Sequence, residues 1–344
     1  MLSRMTVLAL ALAATLAFLA SPAAATHVQC GDTITQDTTL DSDLVNCPSD
    51  GVVIGASDIT FDLAGHTIDG TGPDAGRHGV RNAGADNVTV ANGRIQQFQN
   101  AVSILGADSN LVTGLTLTDS GSGAFVEQAS LTRILDSEMR ASGTGVTLWR
   151  SGSFNVIRGN SISGATNGVL LVGFFVAPVI DQTEITDNDV FSNGVGIHVL
   201  DASNTQVRGN RVVDNSGNGI LDAFGGFSII EGNFVSRNDD NGILLPDSTG
   251  AVVAGNRTWD NGGDGVLIGN AGSLISPAAV TDNFSKGNGD DGIDVDKPGT
   301  TIARNRANVN ADLGIEAVPG VVDGGGNKAH GNGNPAQCVN VSCR

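Results

Sequence analysis

Four aspartates fall within seven residues of the stretch GDDGIDVDK, residues 289–297. Asp294 and Asp296 alternate, so on an extended strand both carboxylates face one side, about 7 Å apart. That arrangement suits two chemistries. One is coordination of calcium, a hard cation that takes oxygen ligands, by Asp291, Asp294 and Asp296. The other is an acid/base carboxylate pair acting on a glycosidic bond, drawn from Asp294, Asp296 and Glu316. A plainer alternative is a solvated acidic end with Lys297 as partner, in which Asp290 and Asp291 serve as turn residues. Two further side chains can do chemistry. His198 is titratable and could act as a general base next to Asp201, contact a sugar, or be an incidental polar residue. Trp149 could stack on a sugar ring.

These residues are positioned by a repeat. Stretches such as SGNGILD, DDNGILL, GGDGVLI and GDDGIDV recur. The apolar residue after the glycine, or its equivalent, marks eleven anchors: Val80, Val102, Ala124, Val146, Val169, Ile197, Ile220, Ile243, Val266, Ile293 and Ile315. Most steps are 22 or 23 residues, with two of 27 or 28. Asparagines keep a parallel register at Asn160, Asn188, Asn210, Asn233, Asn256, Asn283 and Asn305, and share the two long steps. Short alternating apolar runs punctuated by Gly, Asn and Asp are too strand-rich for a helical repeat. The period suits one turn of a parallel β-helix with three short strands per coil. The asparagines would sit at tight bends, tolerate left-handed backbone geometry, and hydrogen-bond between coils as a ladder.

The chain thus resembles right-handed parallel β-helix repeat proteins, the pectin-lyase-like group that includes NosD-like periplasmic proteins. The resemblance covers residues 50 to 330, and it implies an all-β solenoid of about eleven coils. The opening CGDTITQDTTLDSDLVNCP and the closing DGGGNKAHGNGNPAQCVNVSC resemble the entry and closure of exported members. The fold implies no single activity. DGID, at Asp291–Asp294, is similar to part of the polygalacturonase pattern, but the second Asp-Asp pair, Gly-His-Gly and Arg-x-Lys are missing. The Asp-Pro-His motif of mannuronan epimerases is also absent. The NosD name suggests copper, yet the chain beyond residue 25 has one methionine, Met139, and five scattered histidines, His27, His66, His78, His198 and His330. Soft-metal sites want clustered sulfur or imidazole.

Composition bounds the compartment. Residues 1–25 read as a signal peptide: Arg4, an apolar run, then an Ala23-x-Ala25 cleavage pattern. Secretion to the exterior or the periplasm is therefore expected, without a membrane span. The remaining divisions are an N-terminal cap at 26–50, the β-helix at 51–330, and a C-terminal cap at 331–344. Cys30 with Cys47 and Cys338 with Cys343 form two local pairs, read as disulfides tying the ends. The formal charge of -18 argues against nucleic acid as a partner.

With anchors inward, the next residues face out. One outward column runs Arg81, Ser103, Phe125, Thr147, Leu170, His198, Leu221, Leu244, Leu267, Asp294 and Glu316. A second includes Leu105, Glu127, Trp149, Val172, Leu200 and Asp296. The middle of this face reads as an apolar patch. Extra residues follow Val172 (GFFVAPVIDQTE) and Ile268 (GNAGSLISPAAV), and would cover the patch or wall a cleft. Two functions are weighed. In one, an exported protein binds or processes polysaccharide on this face and, if an enzyme, is lyase-like or glycoside-hydrolase-like. In the other, a non-enzymatic scaffold binds a cell-surface protein through its leucines. No cofactor is required, calcium being the one metal the carboxylates suit, and a monomer is expected.

Overall fold

The computed structural model describes residues 27–344 except 74–75, 142, 174–179 and 271–275. The signal-peptide segment and the centres of both insertions lie outside the described residues. No α-helix occurs among the described residues, and so none is long and apolar enough to cross a membrane.

Most strands are three to six residues long. Such strands cannot bury a core alone, so each coil depends on its neighbours. Thirteen strands form the first sheet, from Asp32–Ile34 to Ile315–Ala317, each pairing in parallel with the next coil. Twelve steps of ~4.8 Å give this sheet a length of about 58 Å. Two further strand stacks complete each turn. One coil, for example, contributes Val195–Leu200 to the first sheet, Gln206–Arg208 to the second stack and Arg211–Val213 to the third. The solenoid takes the right-handed crossover that parallel connections favour. Beyond the eleven anchored strands, the sheet gains Asp32–Ile34 and Val52–Ile54 at its N-terminal end.

All eleven anchors are buried to 1% exposure or less. Ile197, Ile220, Ile243, Val266, Ile293 and Ile315 stack as one column. A fully buried Val or Ile contributes ~1.5–3 kcal/mol, so these columns are the main source of cohesion. The glycine before the anchor is forced by close approach. A Cβ on Gly242 would lie 2.6 Å from the Gly265 carbonyl oxygen and 2.8 Å from Asn261 Nδ2.

The asparagine ladder forms as read. Each Nδ2, from Asn160 to Asn305, donates to the Oδ1 of the next at 3.0–3.2 Å, and the run continues to Asn327. A second ladder was not foreseen: Asn193, Asn215, Asn238, Asn261, Asn288, Asn310 and Asn332, linked at 2.8–3.1 Å. One detail of the sequence reading is corrected. The left-handed conformation belongs to the residue before each ladder asparagine, such as Gly209, Asp282, Arg304 or Val309, and not to the asparagine. The bend turns the chain one residue early, and the asparagine side chain then points into the solenoid.

Both disulfides form, Cys30–Cys47 and Cys338–Cys343. Beyond the last coil, Cys338 and Cys343 bridge back to Ile315 and Asn327, laying the terminus over the end of the rod.

Candidate functional site

The outward face of the first sheet is set by strict register. Arg81, Ser103, Phe125, Thr147, Leu170, His198 and Leu221 form one column, and Leu105, Glu127, Trp149, Val172 and Leu200 the next. Both were legible from alternation. A third outward column was missed: His78, Asn100, Ser122, Thr144 and Asn167. It lies before the anchor glycine, where attention to the apolar repeat hides it.

These columns frame a groove of about 560 Å³ on the N-terminal half of the face. Phe125 and Trp149 supply aromatic walls, Glu127 a carboxylate, and Asn100 and Thr147 amide and hydroxyl groups. Ser103 sits in its floor with an enclosed, unpartnered hydroxyl. His78 stands at one end, 3.3 Å from Asn100 Nδ2. Burial lowers the His78 pKa, the Arg81 charge adds to this and Asp50 opposes it, so the ring favours its neutral form.

His198 lies outside the lining of this groove and contacts Asn167 Oδ1 at 3.3 Å. Burial lowers its pKa too. No contact between His198 and Asp201 occurs among the described residues. Asp201 is instead shifted upward by its own burial, with one carboxylate oxygen enclosed and unpartnered.

The leucines are less open than alternation implies. Leu170, Leu200, Leu221, Leu244 and Leu267 are half-buried, and Val172 is 8% exposed. Side chains one rung apart cover one another's flanks at the ~4.8 Å strand spacing.

At the C-terminal end the register places Asp294 beside Leu267 on one side and Glu316 on the other. Carboxylate oxygens of Asp291, Asp294 and Glu316 lie within 4.8 Å of one another, as do those of Asp264, Asp290 and Asp291. Asp296 belongs to neither group, a departure from the expected calcium set of Asp291, Asp294 and Asp296. Lys297 is not the solvated partner expected for them. It is buried and reaches back 49 residues to donate to the Ser248 carbonyl at 2.8 Å. Asp291 links neighbouring coils: its Oδ1 accepts the Leu313 N–H at 2.6 Å, and its own N–H donates to Asp264 Oδ1 at 2.9 Å. Asp264 in turn donates its N–H to Asn241 Oδ1, so these aspartates continue a column begun by asparagines. Burial, reinforced by neighbouring carboxylates, pushes Asp294 up to about 7 and Asp264 up to about 6. Asp291 moves in the same direction through burial and its coupling to Glu316 and Asp264.

A thirteen-stranded parallel sheet closed by two further strand stacks and laced by amide ladders defines a right-handed β-helix. The family description "right handed beta helix region" matches residues 172–339. The chain belongs to the NosD family, described as periplasmic copper-binding protein, whose pattern spans residues 33–225. No curated protein matches it significantly. Among solved structures, the Dettilon tailspike protein gp208 is 17% identical, over 90% of this chain and 61% of that one, with a TM-score of 0.58. This chain therefore spans about three-fifths of that tailspike. The periplasmic alginate epimerase AlgG is 15% identical over 91% and 74%, TM-score 0.56. A mannuronic acid specific polysaccharide family 6 lyase from human gut microbiota is 12% identical over 88% and 82%, TM-score 0.56. At these identities the likeness is one of fold.

The family description raises copper, and the donor set does not fit it. All four cysteines are in disulfides, and Met139, the one methionine among the described residues, is fully buried in the core. His27, His66, His78 and His198 each contact a different oxygen or amide partner in separate coils. The ligand clusters among the described residues contain only carboxylates, which suit hard cations.

Proposed function

We propose that this is an exported protein that binds polysaccharide along the first-sheet groove. The observation that carries the reading is the pairing of Trp149 and Phe125 with Glu127, Asn100 and Thr147 in one open channel. Aromatic rings pack against the C–H face of a sugar while amides, hydroxyls and carboxylates bond its hydroxyls. A groove parallel to the rod also suits an extended polymer. The NosD family's periplasmic description, the two disulfides and the signal-like N-terminus support export. The alginate epimerase and the polysaccharide lyase among the fold neighbours support the substrate class by analogy.

A second reading rests on the acidic end. Asp294, raised to about 7, would hold a proton near neutrality and could serve as general acid, with Glu316 or Asp296 as the second carboxylate. The same carboxylates could instead hold calcium. His198, neutral and half-buried, would be available as a base or a sugar contact. A scaffold role for the leucine column is less supported, because its members are already half-covered.

The test is a glycan panel screened with and without calcium against the parent, Trp149→Ala and Asp294→Ala. Loss of binding in Trp149→Ala alone supports the groove. Loss of calcium-dependent binding or product formation in Asp294→Ala supports the acidic end. Binding that neither substitution changes refutes both readings.

A further inference from the structure

The outward column of the third strand stack alternates cation and ring: Arg211, Phe234, Arg257, Phe284 and Arg306 lie on successive coils. Trp259 stands in the neighbouring column and packs edge-on against Phe234 at 5.5 Å and Phe284 at 6.0 Å. Between Arg257 and Arg306 the surface opens into a cleft of about 520 Å³, walled by Trp259 and Phe284. Among the described residues Arg81, Arg208, Arg211, Arg237 and Arg304 pair with carboxylates. Arg211 is held by Asp189 at 2.6 Å, and Arg304 grips Asp282 through two bonds of 2.7–2.8 Å. Arg257 and Arg306 make no ion pair among the described residues, and Asp282, the one carboxylate lining the cleft, is already answered by Arg304.

We propose that this cleft is a second binding site, independent of the first-sheet groove, and that it takes a polysaccharide whose sugars carry carboxylates. Two free guanidiniums two rungs apart, ~9.6 Å, can each grip a carboxylate bidentately on successive parts of one chain. The Phe284 ring between them, with Trp259 beside it in the neighbouring column, offers an apolar surface to the intervening sugar. A single-stranded nucleic acid fits less well. The rings meet at 76° and 83°, so they do not form a series of parallel platforms for bases.

The test measures binding of polygalacturonate and polymannuronate at low salt to the parent, to Arg257→Gln/Arg306→Gln and to Trp149→Ala. Carboxyl-reduced polymer and oligo(dT) serve as controls. Both arginines are exposed, so the double variant is expected to fold as the parent does. The proposal expects the double variant to bind the carboxylated polymers roughly tenfold more weakly than the parent, or worse. It expects binding to weaken with salt and to vanish for the reduced polymer. Equal binding by parent and double variant overturns it, as does retention of the reduced polymer or tighter binding of oligo(dT). Loss in Trp149→Ala alone places the carboxylated ligand in the first-sheet groove, which overturns this site while supporting the other.

Discussion

Asp222 offers the sharpest test of how this solenoid is held together. It occupies an inward column of the first sheet, beside Val199, where other coils carry Ile104, Val126, Leu148 and Leu171. The residue is 1% exposed, and neither carboxylate oxygen has a hydrogen-bond partner. The Ser248 hydroxyl donates to the Asp222 carbonyl instead, at 2.7 Å. Burial pushes the carboxyl from 3.8 up to about 6, with the nearby Ser228 and Ser248 hydroxyls opposing part of the shift. Because the native pKa is raised, stability is full below the unfolded value of 3.8, falls as pH rises through about 6, and then levels off. A shift of about two units corresponds to about 3 kcal/mol. Asp222→Asn keeps the shape and removes the charge. The variant should equal the parent near ~pH 4 and exceed it by about 3 kcal/mol near ~pH 8. Urea denaturation followed by circular dichroism across that range reads the difference directly. Comparing variant with parent cancels the similar drift from Asp264, Asp291 and Asp294. A difference that does not change with pH, or a variant weaker than the parent throughout, refutes the reasoning.

Two further outcomes follow from the coil architecture. Asn233 donates to Val207 O and Asn256 Oδ1 and accepts from the Asn210 backbone and side-chain amides, so Asn233→Ala breaks four bonds of 2.9–3.0 Å. It should cost about 3 kcal/mol and expose neighbouring amides to hydrogen exchange, because buried donors and acceptors are left unmatched. Val309 is β-branched, 53% exposed and held at φ 60°, where the coils on either side place Gly287 and Gly331. Val309→Asn should raise the melting temperature, corresponding to about 1 kcal/mol, and an unchanged or lower melting temperature would contradict the strain argument.

The period of 22 or 23 residues was enough to define the coil, the anchor column, the first asparagine ladder and two of the outward columns, and the two local cysteine pairs marked both disulfides. These depend on local alternation and on stacking like on like, and a repeating chain writes both directly into its spacing. The second asparagine ladder and the Arg–Phe column were equally periodic, at Asn193 onward and Arg211 onward, but lay off the anchor register and went unread. Other features were decided by tertiary structure. Asp296 alternates with Asp294 yet joins neither carboxylate cluster, whereas Asp264 and Glu316 converge on Asp291 from neighbouring coils. Lys297 looks solvent-facing beside three aspartates, yet its stem is buried and its ammonium reaches a carbonyl two coils back. The sequence by itself determined the repeating backbone and the face each residue takes. Only the folded stack decided which charges meet and which are cut off from water, because desolvation and carboxylate contact depend on neighbours some 22 to 49 residues away in the chain.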